Sequence, residues 1–256
     1  MNHFFVFFKK ELVEYARTYK LLIMLVVFTI FGITNPLIAK LTPELLASFM
    51  PEGMSVTIPE PTALDAWAQS FKNTQQMGMI VLVLVFSGVV STEVSRGTLI
   101  NLLTKGLSRQ AVILAKYSAM LFVWSLSVVL SATLTWVYTL YLFPHDQVTV
   151  GYLLFAISCM WLFGAFLLAS LLSSATLVKG NYGSLLLTGL MLVFLMLVNI
   201  IPNAQEYNPI SLASMNMELV AGKVDPSFVY TAVGITGLAS LGLIALALLV
   251  FGKKRM

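Results

Sequence analysis

Six apolar segments constrain the fold of this chain more than any other feature. They are separated by stretches that hold most of the charged residues, and they lie at residues 21–39, 76–90, 110–143, 151–173, 183–201 and 228–251. Roughly 20 apolar residues in a helix cross a hydrocarbon core of about 30 Å. We therefore predict an all-α integral membrane protein, with six transmembrane helices in a single transmembrane domain over residues 1–256.

The composition excludes a soluble protein. Hydrophobic residues make up 59% of the 256 residues and charged residues only 10%, with a mean hydropathy of +0.91, whereas globular chains carry about 25% charged residues. The net charge of +4 is spread along the ends of the apolar segments. Because no separate basic domain exists, we expect no nucleic-acid partner, and the partner that the composition indicates is the lipid bilayer.

The basic residues set the expected orientation. Lysine and arginine are in excess in short cytoplasmic segments of membrane proteins. If the N-terminus is inside, twelve of the fifteen basic residues are cytoplasmic: Lys9, Lys10, Arg17, Lys20, Arg96, Lys105, Arg109, Lys116, Lys179, Lys253, Lys254 and Arg255. We therefore predict a multi-pass protein with both termini cytoplasmic, in a cell membrane of the bacterial plasma-membrane type.

Residues 3–20 predict an amphipathic interfacial helix. At 100° per residue, Phe4, Phe8, Leu12 and Tyr15 share one face with their aromatic and aliphatic neighbours. The other side carries the residues expected at the membrane surface, which are Lys9, Lys10, Arg17 and Lys20. The alternative is a charged extension of the first span.

Two stretches are assigned to the outer side. Residues 40–75 contain four prolines and four carboxylates, so we expect a loop with short helices at most. The second stretch, 203–227, includes a short outer helix over 211–221 before span six, ending at Gly222. This helix either dips into the outer leaflet or lies on the surface.

The apolar segments lack the groups that most membrane chemistry needs. Their centres hold no charged residue or histidine, which disfavours ion-coupled transport, although Asn35 and Asn199 leave it open. No zinc-type His-Glu-x-x-His pattern and no phosphate-binding loop occur. We therefore expect no enzyme activity and no catalytic, cofactor or metal residues in this chain. Energy for uphill work would come from another polypeptide.

A hydroxyl stripe follows the third span, with members four residues apart: Ser127, Ser131, Thr135 and Thr139. One interpretation is a pathway lining. The other, which we favour, is close helix packing, because small and hydroxyl residues at this spacing let membrane helices approach.

The polar stretch 91–116 is unusually rich in leucine. As a helix, it would place Leu99 and Leu103 on one face and pair Glu93 with Arg96. Gly106 fits a helix end and Ser108 fits the cap of the next helix. That helix, 110–143, exceeds the bilayer thickness, so it is tilted or its first turns with Lys116 stand in the cytoplasm. Apolar side chains at a cytoplasmic tip indicate either a partner groove or contact with the lipid interface.

This stretch resembles the permease subunits of ATP-binding-cassette (ABC) transporters of the type-2 exporter family. The residues 93–99 (EVSRGTL), followed by Leu102–Leu103, Leu107–Ser108–Arg109 and Lys116, are similar to the family pattern E-x-x-x-G-T-L…L-L…P-[LI]-S-R…K, with Gly106 where the family often has proline.

The resemblance implies a cytosolic coupling helix over 92–107, between spans two and three. Its ATPase-docking residues would be Glu93, Arg96, Gly97, Thr98, Leu99, Leu102, Leu103 and Leu107. The implied partners are a cytosolic ABC ATPase dimer, which holds ATP and Mg, and a second permease chain, identical or homologous. The implied activity is export. The mostly apolar spans indicate an amphiphilic substrate: a drug, a peptide or a lipid-like molecule. The alternative is a non-transporting sensor or immunity protein that binds a peptide at its outer loops.

Overall fold

A computed structural model of the chain describes residues 3–49, 59–89, 108–146, 148–178 and 180–253, and every regular element in these ranges is helical. The elements are α1 (His3–Arg17), α2 (Lys20–Ser48), α3 (Ala63–Asn73), a π turn (Thr74–Gly78), α4 (Met79–Phe86), α5 (Arg109–Leu142), α6 (Val150–Leu177), α7 (Asn181–Val198), a 3₁₀ helix (Pro202–Tyr207), α8 (Ser211–Ser214), α9 (Asn216–Val220) and α10 (Ser227–Lys253).

Four of the described helices are long and apolar enough to cross a membrane, namely α2, α5, α6 and α10. The protein thus has the all-helical character of an integral membrane protein. The segments predicted as spans two and five do not correspond to single long helices. The first overlaps the broken run α3–π turn–α4, and the second overlaps α7, which is shorter than the four long helices. Six crossings therefore remain a prediction.

The segment 40–75, predicted as a loop with short helices at most, is helical at both ends, and the extension of α2 into it was not predicted. Helix α2 continues through Pro36 and Pro43 to Ser48, because membrane helices tolerate proline where neighbouring groups compensate for the lost hydrogen bond. Helix α3 already begins at Ala63, where Thr62 and Asp65 form a reciprocal capping box. The second apolar segment therefore overlaps the C-terminal part of a longer helical run.

Helix α1 packs against α5 and α2, and the predicted apolar face is only part of the side that it buries. Tyr15 of that face is buried, and Phe4, Phe8 and Leu12 pack against the core. Phe7 and Glu11 are also buried, whereas Phe5 is 64% exposed. The chain then turns sharply, with Tyr19 at a positive φ of 60°, before α2 starts. The amphipathic helix is present as predicted, but one side of it is docked on the bundle.

Helix α6 is the centre of the fold. It contacts α5, α7 and α10. Of its most apolar 18 residues, 67% are buried, compared with 17% of the corresponding residues of α10.

A small residue allows a close contact between α2 and α5. A Cβ on Gly32 of α2 would lie 3.0 Å from the carbonyl oxygen of Ser131 on α5, so these two helices approach closely.

The outer segment after α7 folds back onto the bundle. The single helix predicted over 211–221 is instead two short helices, α8 and α9, which meet at Met215. Leu212, Ala213 and Leu219 are buried, since both short helices pack on α6. Gly222, at a φ of +67°, ends the segment as predicted.

Candidate functional site

The ATPase-docking residues predicted from the sequence, Glu93 to Leu107, lie outside the described residues. The description resumes at Ser108, whose hydroxyl accepts a hydrogen bond from the backbone N–H of Ala111. Ser108 is thus the N-cap of α5, as predicted.

Arg109 joins the start of α5 to the end of the last helix. Its guanidinium donates hydrogen bonds to the backbone oxygens of Gly252, at 2.8 Å, and Phe251, at 3.4 Å. Carbonyl oxygens at the end of a helix have no partner within the helix, and a cation there is favoured by the helix dipole. The residue next to the docking stretch is therefore bonded to α10.

Lys116, two turns further along α5, forms a buried ion pair with Glu11 of α1. The distance from Lys116 Nζ to Glu11 Oε1 is 2.9 Å, and the two side chains are 1% and 0% exposed. Nζ of Lys116 also lies 5.5 Å from the ring centre of Phe7. The sequence predicted that the helix is tilted or that Lys116 stands in the cytoplasm. It did not predict that the Lys116 side chain is buried.

Sequence reasoning missed Glu11. The available signal was its spacing: Glu11 is the only charged member of the stripe Phe7–Glu11–Tyr15, four residues from each neighbour on a helix. A carboxylate between two aromatic residues on one helix face needs a cation when that face is buried.

The four residues of the hydroxyl stripe are all buried. They face α2 and α3: Thr135 Oγ1 lies 3.5 Å from Ser70 Oγ of α3, and Ser131 lies beside Gly32. Ser127 instead donates to its own helix, at the carbonyl of Val123. The stripe therefore lies between helices of this chain. The choice between packing and pathway lining remains open.

The basic residues predicted for the membrane surface lie along α1 and at the start of α2. Lys9 and Arg17 are exposed. Lys10 forms ion pairs with Glu14, at 2.6 Å, and with Glu11, at 3.0 Å, and Nζ of Lys20 lies 5.5 Å from the ring centre of Tyr15. Two of the four cations thus have contacts within the protein.

An apolar cavity of about 490 Å³ lies between the second helical run, α6 and α7. Its wall includes Met79, Val83, Phe163 and Leu192, and its polar side chains are Gln75 and Gln76. Both glutamines belong to the π turn, in which Met79 N–H donates to the carbonyl of Thr74. This cavity was not foreseen, because its walls come from three separate parts of the chain. The adjacent glutamines at the start of the second apolar segment were its only sequence signal.

The two asparagines that left ion coupling open are hydrogen-bonded within the protein. Asn35 Oδ1 accepts from Asn73 Nδ2 at 2.5 Å. Asn199 Oδ1 accepts from Asn208 and Ser211 at the C-terminal end of α7. Among the described residues, no group of three or more His, Cys, Asp or Glu side chains could hold a metal ion.

No model of a known protein family matches the sequence, and no curated protein matches it either.

Proposed function

We propose that this chain is the permease subunit of an ABC exporter in a cell membrane, with six spans, cytoplasmic termini and a coupling helix at 92–107. A separate ATPase dimer, with bound ATP and Mg, would dock on that helix, and a second permease chain would complete the complex. The chain itself would move an amphiphilic substrate.

The observation that carries this proposal is the way in which the start of α5 is bonded to the helical bundle. In sequence, the family-like pattern runs directly into α5, whose first turns are bonded to α10 through Arg109 and to α1 through Lys116. A force that reaches the start of α5 would therefore act on three helices together. Contacts of this kind are what a coupled two-state membrane element requires.

The cavity supports an amphiphilic substrate. A volume of about 490 Å³ lies in the range of roughly 300–1,000 Å³ typical of small-molecule sites. The apolar wall would take a hydrocarbon or aromatic portion, and Gln75 and Gln76 would offer hydrogen bonds to a polar group. An inorganic ion would find few ligands there.

The test is co-purification of the chain with a candidate ABC ATPase, sought first in the reading frame next to that of the chain. We expect the two to associate and expect the permease to stimulate ATP hydrolysis, whereas Arg96→Asp combined with Leu99→Asp abolishes both effects. Lys223→Asp, in the outer segment, is the matched control and should behave as wild type. Absence of association, or unchanged stimulation in the double variant, contradicts the proposal. Function that persists without nucleotide hydrolysis would favour the peptide-binding sensor.

A further inference from the structure

We propose that Glu11 is a positioning residue for energy transmission, because its ion pair with Lys116 makes α1 move as one body with the first turns of α5. This inference rests on the proposed function and adds a part to it. Helix α1 would then be a mechanical component of the coupling machinery as well as a helix at the membrane surface.

The burial of the pair shows that the link is specific. Both charged groups are removed from solvent, and an unpaired charge in such a place is strongly disfavoured. When α5 moves, Glu11 must therefore follow Lys116, or the buried ion pair between them is broken. Exposed ion pairs are too weak to impose this constraint.

The position of the pair along the chain makes it relevant to coupling. Lys116 lies two turns after Ser108, the residue that caps α5 directly after the docking stretch. Glu11 lies in the middle of α1, and its Oε1 accepts hydrogen bonds from both Lys116 and Lys10. The same oxygen thus joins the buried cation of α5 to the half-exposed cation on the surface of α1.

Apolar packing reinforces the pair. The ring of Phe7 lies beside both cations, with its centre 5.0 Å from Lys10 Nζ and 5.5 Å from Lys116 Nζ. Tyr15, one turn after Glu11, stacks edge-on against Phe86 at the end of α4. Helix α1 therefore contacts both helices that flank the docking stretch in sequence.

The experiment uses the complete permease–ATPase complex in lipid vesicles. Glu11→Gln keeps the shape of the side chain and removes its charge, and Glu14→Gln is the same change at the exposed side of α1. We expect Glu11→Gln to bind the ATPase like wild type, while transport per ATP hydrolysed falls by roughly 5- to 150-fold, the usual range of coupling between sites. Glu14→Gln should leave both quantities unchanged.

A charge exchange and a distance measurement separate coupling from structural damage. The exchange Glu11→Lys with Lys116→Glu should recover most of the transport per ATP. For the distance, spin labels at Val13→Cys and Leu114→Cys, with Cys159→Ala, should keep one separation through the ATP cycle in the parent protein. In the presence of Glu11→Gln they should show several separations.

Three results would overturn the inference: normal transport per ATP in Glu11→Gln, an unchanged label separation in that variant, or losses of transport that only parallel losses of thermal stability and ATPase binding. Failure of the unmodified chain to bind the ATPase would instead contradict the proposed function. In that case the labels are measured in the permease alone, where one separation in the parent protein and several in Glu11→Gln would still show that Glu11 ties α1 to α5.

Discussion

Gly164 of α6 lies directly against the indole ring of Trp124 on α5. A Cβ added to Gly164 would overlap three atoms of that ring. Two hydrogen bonds fix the contact: Trp124 Nε1–H donates to the backbone oxygen of Trp161 at 2.9 Å, and Trp161 Nε1–H donates to Ser125 Oγ at 2.8 Å. Because Trp124 is held in this way, it cannot retreat freely, and the absence of a side chain at 164 is what allows α5 and α6 to meet.

The first prediction is that Gly164→Ala destabilises the fold. Overpacking of a close contact typically costs about 1–3 kcal/mol, and thermal or detergent unfolding of the purified protein would measure it. Gly234→Ala is the control, because Gly234 lies on α10 and an added Cβ there meets nothing within 4 Å. Equal stability of the two variants would contradict the contact between Gly164 and Trp124.

The second prediction concerns the cavity. Gly189 lines it and an added Cβ there meets no atom within 4 Å, so Gly189→Trp should fill the cavity without disturbing the fold. We expect unfolding free energy within about 0.5 kcal/mol of wild type and a loss of at least about tenfold in transport, or roughly 1.4 kcal/mol of transition-state stabilisation. Transport assays in vesicles would measure the loss.

The matched control for the cavity is Gly234→Trp, which adds the same side chain to an exposed position of α10. It should transport normally. Transport that survives Gly189→Trp would show that the substrate does not pass through this cavity.

The third prediction concerns the amide pair Asn35–Asn73, which joins α2 to the end of α3. Hydrogen bonds between membrane helices contribute about 0.6 kcal/mol on average and at most about 1.7 kcal/mol. A double-mutant cycle with Asn35→Ala and Asn73→Ala should therefore give a favourable coupling energy in that range. Strict additivity of the two single changes would show that the pair does not contribute.

The fourth prediction concerns pH and Asp225, just before α10. The side-chain and backbone hydrogen bonds of Ser227 lower the pKa of this carboxyl below its usual 3.8, and Ser227 N–H lies 2.8 Å from Asp225 Oδ1. A lowered folded-state pKa means that the stabilisation is complete above the unfolded pKa and disappears as the pH falls through the folded one. Asp225→Asn should therefore lower the unfolding temperature at pH 6.

The difference between Asp225→Asn and wild type should shrink towards zero as the pH is lowered below the folded-state pKa of Asp225. Unfolding temperatures recorded from pH 6 to pH 2 would show this convergence. A difference that is constant over the whole range would mean that the ionised carboxylate is not the stabilising form.

Long apolar runs in the sequence predicted the main helices well. The segment 110–143 corresponds to α5, Arg109–Leu142, because an uninterrupted apolar run and the Ser108 cap define it locally. The prediction that a loop begins at residue 40 failed because local breaker signals were given too much weight: Pro43 stands inside α2, which continues to Ser48.

Features that depend on distant parts of the chain could not be predicted in the same way. Glu11 is paired with Lys116, which lies 105 positions away in the sequence. No local sequence pattern identifies a partner at that separation. The cavity likewise needs the relative placement of three helices. The docking residues 93–107 remain predictions from sequence alone.

The π turn at Thr74–Gly78 also makes the length of the chain critical at that point. Successive residues of an α-helix are rotated by about 100°, so deletion of a single residue there would rotate α3 relative to α4 by about that angle. Either Trp67 would leave its buried place or the glutamines would leave the cavity. Insertions and deletions at this turn should consequently be far less tolerated than substitutions.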